Sequence, residues 1–171
     1  MRRIRYVVAT SLDGFIAGPK GEADWIITDP DFDFLALFNQ FDTVLLGRRT
    51  YELTQSPGAP PWPPGIRVYV CSRTLRQSDH PGVTLIADKV EEVMAALRAK
   101  SGKDIWLFGG AALFRSLLDA RLVDTVEVAV MPVLLGGGIS LLPPPAEPAK
   151  LRLIGHSASR AGIVSVEYAV T

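Results

Sequence analysis

The segment Asp104-Ile-Trp-Leu-Phe-Gly-Gly-Ala-Ala-Leu-Phe-Arg-Ser-Leu-Leu118 limits the fold more than any other part of the chain, because it reads as strand, glycine pair and helix in immediate succession. Ile105 to Phe108 is a continuous apolar run, the pattern of a strand covered on both faces. Leu113, Phe114, Leu117, Leu118 and Leu122 then recur at helical spacing. Such a unit belongs to a layered α/β sheet. Gly109-Gly110 at the handover has two readings. It is a tight βα turn, or it is a place where a ligand meets bare backbone, with a pyrophosphate favoured at the helix N-terminus behind it.

Other elements alternate around this unit. Ile4 to Ala9 reads as a buried strand followed by a glycine-rich loop through Asp24. Asp29-Pro30 predicts a helix N-cap with proline at the first helical position, and Phe34, Leu35, Phe38 and Phe41 its apolar face. Thr43 to Leu46, Arg67 to Cys71 and Val83 to Ala87 are short strands, and Ser56 to Gly65, with five prolines, is a loop around Trp62. Asp88 with Glu91 predicts a capped helix whose buried stripe is Val90, Val93, Met94 and Leu97. Strand Val126 to Met131 leads through a Gly-Pro-rich connection to strands Leu151 to Ile154 and Ile163 to Val170, which read as an antiparallel hairpin. The expected architecture is a mainly parallel α/β sheet ending in that hairpin, in one domain spanning 1–171.

Charge and composition narrow the partners. Net charge is zero with no block of like charges, which argues against nucleic acid and anionic membranes. Cys71 is the only cysteine, so no intrachain disulfide forms and a reducing, cytoplasmic setting is expected. The N-terminus lacks the apolar core of a signal peptide. Val128 to Ala146 carries no charge, but four prolines and three glycines rule out a continuous spanning helix. His80 and His156 are distant in sequence and offer no zinc-site spacing, so no metal is expected.

Four polar or glycine motifs fall at strand ends: Ser11-Leu-Asp-Gly-Phe-Ile-Ala-Gly18, Gly47-Arg-Arg-Thr-Tyr51, Cys71-Ser-Arg-Thr74 and Gly109-Gly110. Open parallel sheets bind ligands at the carboxyl ends of their strands. Arg48-Arg49 and Ser72-Arg73 suit a phosphate there, and ordinary solvated charge and turn chemistry are the competing readings. Neither a G-x-G-x-x-G fingerprint nor a P-loop is present.

Ser11-Leu-Asp-Gly-Phe-Ile-Ala17, Leu45-Leu-Gly-Arg-Arg-Thr-Tyr-Glu52, Leu107-Phe-Gly-Gly and Pro132-Val-Leu-Leu-Gly-Gly-Gly together resemble the dihydrofolate-reductase-like fold. They are most similar to the reductase domain of the bifunctional riboflavin-biosynthesis deaminase/reductase and its stand-alone relatives, from about Ile4 to Tyr168. The resemblance implies a three-layer fold, a homodimer, and NADPH as hydride donor to a ribosylamino-pyrimidine or related small heterocycle. It implies that Ala9 and Ile16 hold the nicotinamide carboxamide through their backbone. Gly47 opens the βα turn in which Arg48 meets the 2′-phosphate side and Arg49 and Thr50 the pyrophosphate. Ser72 and Arg73 match the adenosine-phosphate loop, and Gly109, Gly110 and Ala111 the second pyrophosphate turn. Phe114 matches an aromatic position near the nicotinamide.

The substrate side leaves alternatives. Asp31 aligns with the pterin-binding carboxylate of dihydrofolate reductases and is the candidate catalytic acid; the other reading puts it, with Asp29 and Asp33, in a helix first turn favoured by the dipole. Asp13 is either a support for the loop over the nicotinamide or a turn former, and Trp25 packs on substrate or in the core. Val126 to Met131 lacks the threonine that dihydrofolate reductases carry on the matching strand, which favours the riboflavin-type reductase. A dihydrofolate or dihydropteridine reductase, or a non-catalytic nucleotide-binding protein on the same fold, are the alternatives. Cys71 is expected to be a packed side chain rather than a nucleophile.

Overall fold

The computed structural model describes Met1–Thr171. In chain order the elements are β1 (Ile4–Ser11), β2 (Phe15–Ala17), α1 (Phe34–Phe38), β3 (Phe41–Gly47), α2 (Arg48–Thr54), β4 (Arg67–Cys71), β5 (Thr84–Ile86), α3 (Val90–Ala99), β6 (Asp104–Gly109), α4 (Ala111–Asp119), β7 (Thr125–Met131), β8 (Ile139–Ser140), β9 (Leu151–Ala158) and β10 (Val164–Val170). An eight-stranded sheet runs β5-β4-β3-β6-β1-β7-β10-β9, parallel from β5 to β7 and antiparallel across β10 and β9. The small β2–β8 pair lies apart from it. The expected parallel sheet with a terminal antiparallel hairpin is what forms.

Successive side chains of a strand point to opposite faces, so each face has its own core. Ile4 and Tyr6 of β1, Ile105 and Leu107 of β6, and Val126 and Val128 of β7 pack against Met94 and Leu97 of α3 and Phe114 and Leu117 of α4. On the opposite face Val44, Leu46, Val68, Val70 and Trp106 pack against Tyr51 of α2 and Leu37 and Phe38 of α1. Three layers result. At the amino ends the buried Arg5 guanidinium donates to both Glu127 oxygens, each at 2.7 Å, and lies 4.8 Å from the Phe41 ring.

Several local expectations are corrected. The helix expected at Asp29-Pro30 starts four residues later, where Asp33 Oδ1 accepts from Ala36 N at 2.9 Å as its N-cap. Asp29 instead accepts from Asp31 N at 2.9 Å in a local turn, a geometry that the fixed φ of Pro30 suits as well as a helix start. Asp31 therefore precedes the helix and is not in its first turn. Phe34 and Leu35 are 53% and 73% exposed, and Phe41 opens β3 rather than extending the helical face. Asp88 does not cap α3: Lys89, at φ 57°, is the N-cap residue and turns the chain between Asp88 and the first helical turn. Leu122 lies beyond α4, after a left-handed Arg121 that follows the C-cap Ala120, yet its amide donates to Leu117 O at 2.9 Å and its side chain packs on the core. β9 runs on to Ala158, past Gly155, His156 and Ser157, whose composition hides an edge strand.

Candidate functional site

The strand register brings the four motifs to one edge. Leu46 pairs with Gly109, Gly47 with Cys71, Cys71 with Ile86, and Ser11 with Met131. All are carboxyl ends of parallel strands, and α2, α3 and α4 begin after β3, β5 and β6 at this edge.

The β3–α2 and β6–α4 junctions touch. A Cβ added at Gly47 would lie 3.5 Å from Gly110 N, and one at Gly109 or Gly110 would lie 3.2 or 3.3 Å from Thr50 Oγ1. Gly47 and Gly110 are the N-cap residues of α2 and α4, neither helix has a side-chain cap, and neither has an acid in its first turn. The first-turn amides of both helices thus lack intrahelical partners and carry the positive end of the dipole. The Gly109–Gly110 peptide is cis. Glycine backbone with free amides on two adjacent helix starts can accept an extended polyanion, which a Cβ would obstruct.

Beyond the end of β4, Ser72 is buried and its Oγ accepts from Thr74 N at 3.2 Å and Leu75 N at 3.1 Å, so the hydroxyl shapes the loop. The Arg73 side chain is 83% exposed and its Nε stands 3.6 Å from Asp88 Oδ1. A cavity of about 270 Å³ opens here between Cys71, Arg73, Ile86, Asp88, Glu91 and Ser116. Glu91 accepts from Ser116 Oγ at 2.9 Å; its own helix-start amide and Ser116 hold the carboxyl below its usual range. Burial pushes the Cys71 thiol up to about 12, which keeps it protonated and fits a packed side chain. Arg48 reaches down α2 to Glu52 at 2.8 Å, while Arg49 is exposed and makes no ion pair.

The loops after β1 and β7 are clamped together. Asp13 accepts from Leu135 N at 3.1 Å and Gly136 N at 2.7 Å, and Leu12 N donates to Val133 O at 2.8 Å. The Ser11 hydroxyl and then these amides lower the Asp13 pKa to about 2. Asp13 therefore joins two loops, a larger role than forming its own turn. Gly138, at φ +145°, lies so close to Ala17 O that no Cβ would fit there, whereas a Cβ at Gly136 or Gly137 would meet nothing within 4 Å, so Gly138 alone packs the turn against β2. Ala9 and Ile16 are half-buried on β1 and β2 beside this clamp.

The remaining sequence candidates fall less neatly. Phe114 is 3% exposed and stacked on Tyr6 with ring centroids 3.9 Å apart, so its side chain is core and is corrected from a cofactor-facing position. The helical stripe that made it visible is the same one that buries it. Ala111 is also buried and offers its backbone. Trp25 is half-buried, donates from Nε1 to Glu22 O at 3.0 Å, and belongs to neither core. Asp31 is exposed and its carboxylate makes no hydrogen bond or ion pair.

An aromatic row was missed. Phe108, next to Gly109, meets Trp62 edge-on at 5.1 Å, and Trp62 meets Phe38 at 6.3 Å. Phe108 was absorbed into an apolar run and Trp62 into a proline loop; only strand alternation puts Phe108 on the face opposite Leu107. A second cavity of about 270 Å³ lies at the amino ends, between Phe38, Phe41, Asp42, Pro63 and Lys103. Equal volume does not separate the two; the glycine junctions and free amides exist only at the carboxyl ends.

Residues 2–165 match the model of the family described as RibD C-terminal domain. YyaP of Bacillus subtilis, an uncharacterised protein, is 35% identical over 98% of this chain and 94% of its own. The structure of a Shewanella sp. PV-4 protein provisionally named for riboflavin biosynthesis superposes with a TM-score of 0.84 at 28% identity, covering 100% of this chain and 99% of that one. Dihydrofolate reductase from Enterococcus faecalis, solved with NADP(H), matches at TM-score 0.70 and 19% identity over 99% and 96% of the two chains, which makes the fold dihydrofolate-reductase-like.

Proposed function

For this chain, which belongs to the RibD C-terminal domain family, we propose the activity of a cytoplasmic NADPH-dependent reductase acting on a ribosylamino-pyrimidine or a related small heterocycle. The observation that carries the reading is the pair of uncapped helix starts, α2 and α4, meeting over glycine backbone. That cradle, with arginines on the β4 side, fits a dinucleotide pyrophosphate and a 2′-phosphate, and the neighbouring fold solved with NADP(H) supports it.

In this reading the amides of Arg49 and Thr50 and those of Ala111 and its successor hold the pyrophosphate. Arg73, with Ser72 shaping its loop and Arg48 across the cleft, meets the 2′-phosphate. Ala9 and Ile16 present backbone groups to the nicotinamide amide, held in place by the Asp13 clamp. When bound, the cofactor supplies a hydride to an electron-poor carbon, such as that of a C=N bond, whose nitrogen takes up a proton. The chain's part is to orient the two rings and exclude water. Asp13 is ionised near neutrality and fully engaged with amides, so it is no proton donor. Asp31 and Trp25 border the substrate side. The exposed, unpaired Asp31 carboxylate does not fit the enclosed pterin-binding acid of a dihydrofolate reductase, which favours the riboflavin-type reading. A homodimer would cover the exposed Leu151, Leu153 and Ile154 of edge strand β9, and light scattering of the purified chain tests it.

The test is NADPH titration followed by NADPH oxidation with candidate pyrimidines and pterins. Binding with turnover supports the reductase, and tight binding without turnover on any of them supports a non-catalytic binder.

A further inference from the structure

Resting on the reductase reading, we infer that the rings of Phe108 and Trp62 form the wall against which the substrate's heterocycle lies, so that both are substrate-contact residues. The sheet comes apart beside Phe108. On its β7 side β1 stays paired to its last residue, Ser11 with Met131, whereas on its β6 side pairing stops at Tyr6 with Leu107. Arg3 O accepts from Ile105 N at 2.8 Å and Ile4 O from Asp124 N at 2.9 Å, so the odd-numbered backbone groups of β1 face β6. Val7 O is taken by the Trp106 indole Nε1 at 3.0 Å, and Ala9, the next residue on that side, has no residue of β6 opposite it. β6 also slips against β3. Leu45 pairs with Leu107 and Leu46 with Gly109, which leaves Phe108 as an extra residue with no partner on either neighbouring strand. Such a bulge ends pairing and re-aims the side chain it carries, and bulges gather beside active sites.

Only one face of this gap is open. On the α4 side Phe114 stacks on the buried Tyr6 with ring centroids 3.9 Å apart, and Leu141 and Leu142 pack on the same cluster, so no ligand ring enters there. On the α2 side the residues beside the gap, Val7, Phe108 and Trp62, are only half-buried. Phe108 and Trp62 meet edge-on at 5.1 Å, Trp106 backs Phe108 at 5.1 Å, and Phe38 of α1 closes the far end 6.3 Å from Trp62.

Phe108 thus directly precedes Gly109 of the cradle and stands across the gap from Ala9. A nicotinamide reaching from the cradle to the Ala9 backbone passes Phe108. A ring taking its hydride from the α2 side then lies against Phe108 and Trp62. Two aromatic rings at a right angle receive a flat conjugated ring by stacking on one and edge contact with the other, a match that a saturated chain does not make.

The experiment titrates the NADP⁺-loaded chain with 5-amino-6-(5-phosphoribosylamino)uracil and with dihydropterin by calorimetry, and follows tryptophan emission in parallel. At least one of the two is expected to bind and to quench the emission. Phe108→Ala and Trp62→Ala should each weaken that compound by about tenfold or more, the scale of a lost ring stack, while NADP⁺ affinity changes by less than about threefold. Trp62→Phe, which keeps a ring, should hold the affinity and lose most of the quenching, a result that a role in packing alone would not give. Thermal unfolding checks that each variant folds, and Phe108→Leu and Trp62→Leu, which keep apolar bulk without a ring, make the same test if an alanine variant does not. Unchanged ring affinity in the folded variants, quenching that persists in Trp62→Phe, or binding of neither compound overturns the inference. Ring binding that depends on Phe108 and Trp62 in a chain that does not bind NADP⁺ leaves the wall standing and overturns the reductase reading instead.

Discussion

Gly109 separates a packing role from a ligand-approach role through a double-mutant cycle with Thr50. An added Cβ at Gly109 would lie 3.2 Å from both Thr50 Cγ2 and Thr50 Oγ1, and 3.8 Å from Thr50 Cβ. The first two contacts are too close by a few tenths of an ångström, and the third is ordinary. Gly109→Ala should therefore overpack the junction and cost about 1–3 kcal/mol. For a chain of this size that is a Tm decrease of about 2–4 °C per kcal/mol. Thr50→Ala deletes both offending atoms, so Gly109→Ala made in that background should cost clearly less, a coupling readable by thermal unfolding. NADPH binding should behave otherwise. If the glycine is there for pyrophosphate to approach, Gly109→Ala weakens NADPH by about tenfold or more in both backgrounds, because the new methyl occupies the ligand's path whether or not Thr50 is trimmed. Fluorescence titration of the four variants measures this. Should the NADPH penalty vanish together with the stability penalty in the Thr50→Ala background, the glycine pair is a packing turn and the cradle is refuted.

Four further outcomes follow from the geometry. Tyr6 is fully buried, with a hydroxyl that has no hydrogen-bond partner and a pKa raised by burial, so Tyr6→Phe should stabilise the chain by about 1–2 kcal/mol, seen as a higher denaturation midpoint. Because the Asp13 pKa is lowered, to about 2, its clamp is fully present above the ordinary value of 3.8 and is lost as pH falls towards 2; the Leu135 and Gly136 amide resonances should titrate there and lose that step in Asp13→Asn. Arg73→Ala should weaken NADPH by about 10- to 150-fold and NADH far less, while Asp88→Asn, which frees the guanidinium, strengthens NADPH; both are read by equilibrium titration. Asp31→Asn should keep near wild-type turnover, where a general acid would lose about 10²–10⁴-fold in a steady-state assay.

What could be read from the sequence was set by local patterning. Strands β3, β4, β6 and β7 are short apolar runs with clear ends, and α3 and α4 carry their buried stripes at helical spacing, so these elements and the strand-end motifs were visible without coordinates. The region from Gly21 to Phe41 was not. Three aspartates compete there for one cap, and only the hydrogen bond from Ala36 N to Asp33 decides among them. Exposed Phe34 and Leu35 look like a core face in sequence, because hydrophobicity alone does not distinguish a side chain buried by the fold from one left open. Phe114 failed in the opposite sense, as an aromatic at a family position that turns inward onto Tyr6. Contacts between distant segments, such as Asp13 with Leu135 and Gly136 or Thr50 with Gly109 and Gly110, depend on topology and leave no local signal.

The most direct test of the central claim is a crystal structure of the chain with NADP⁺. The account predicts the pyrophosphate across the amide ends of α2 and α4, against Gly47, Gly109 and Gly110, with the 2′-phosphate beside Arg73. Dinucleotide density at the amino-end cavity between Phe38 and Lys103, or crystals free of NADP⁺ at saturating concentration, would contradict it.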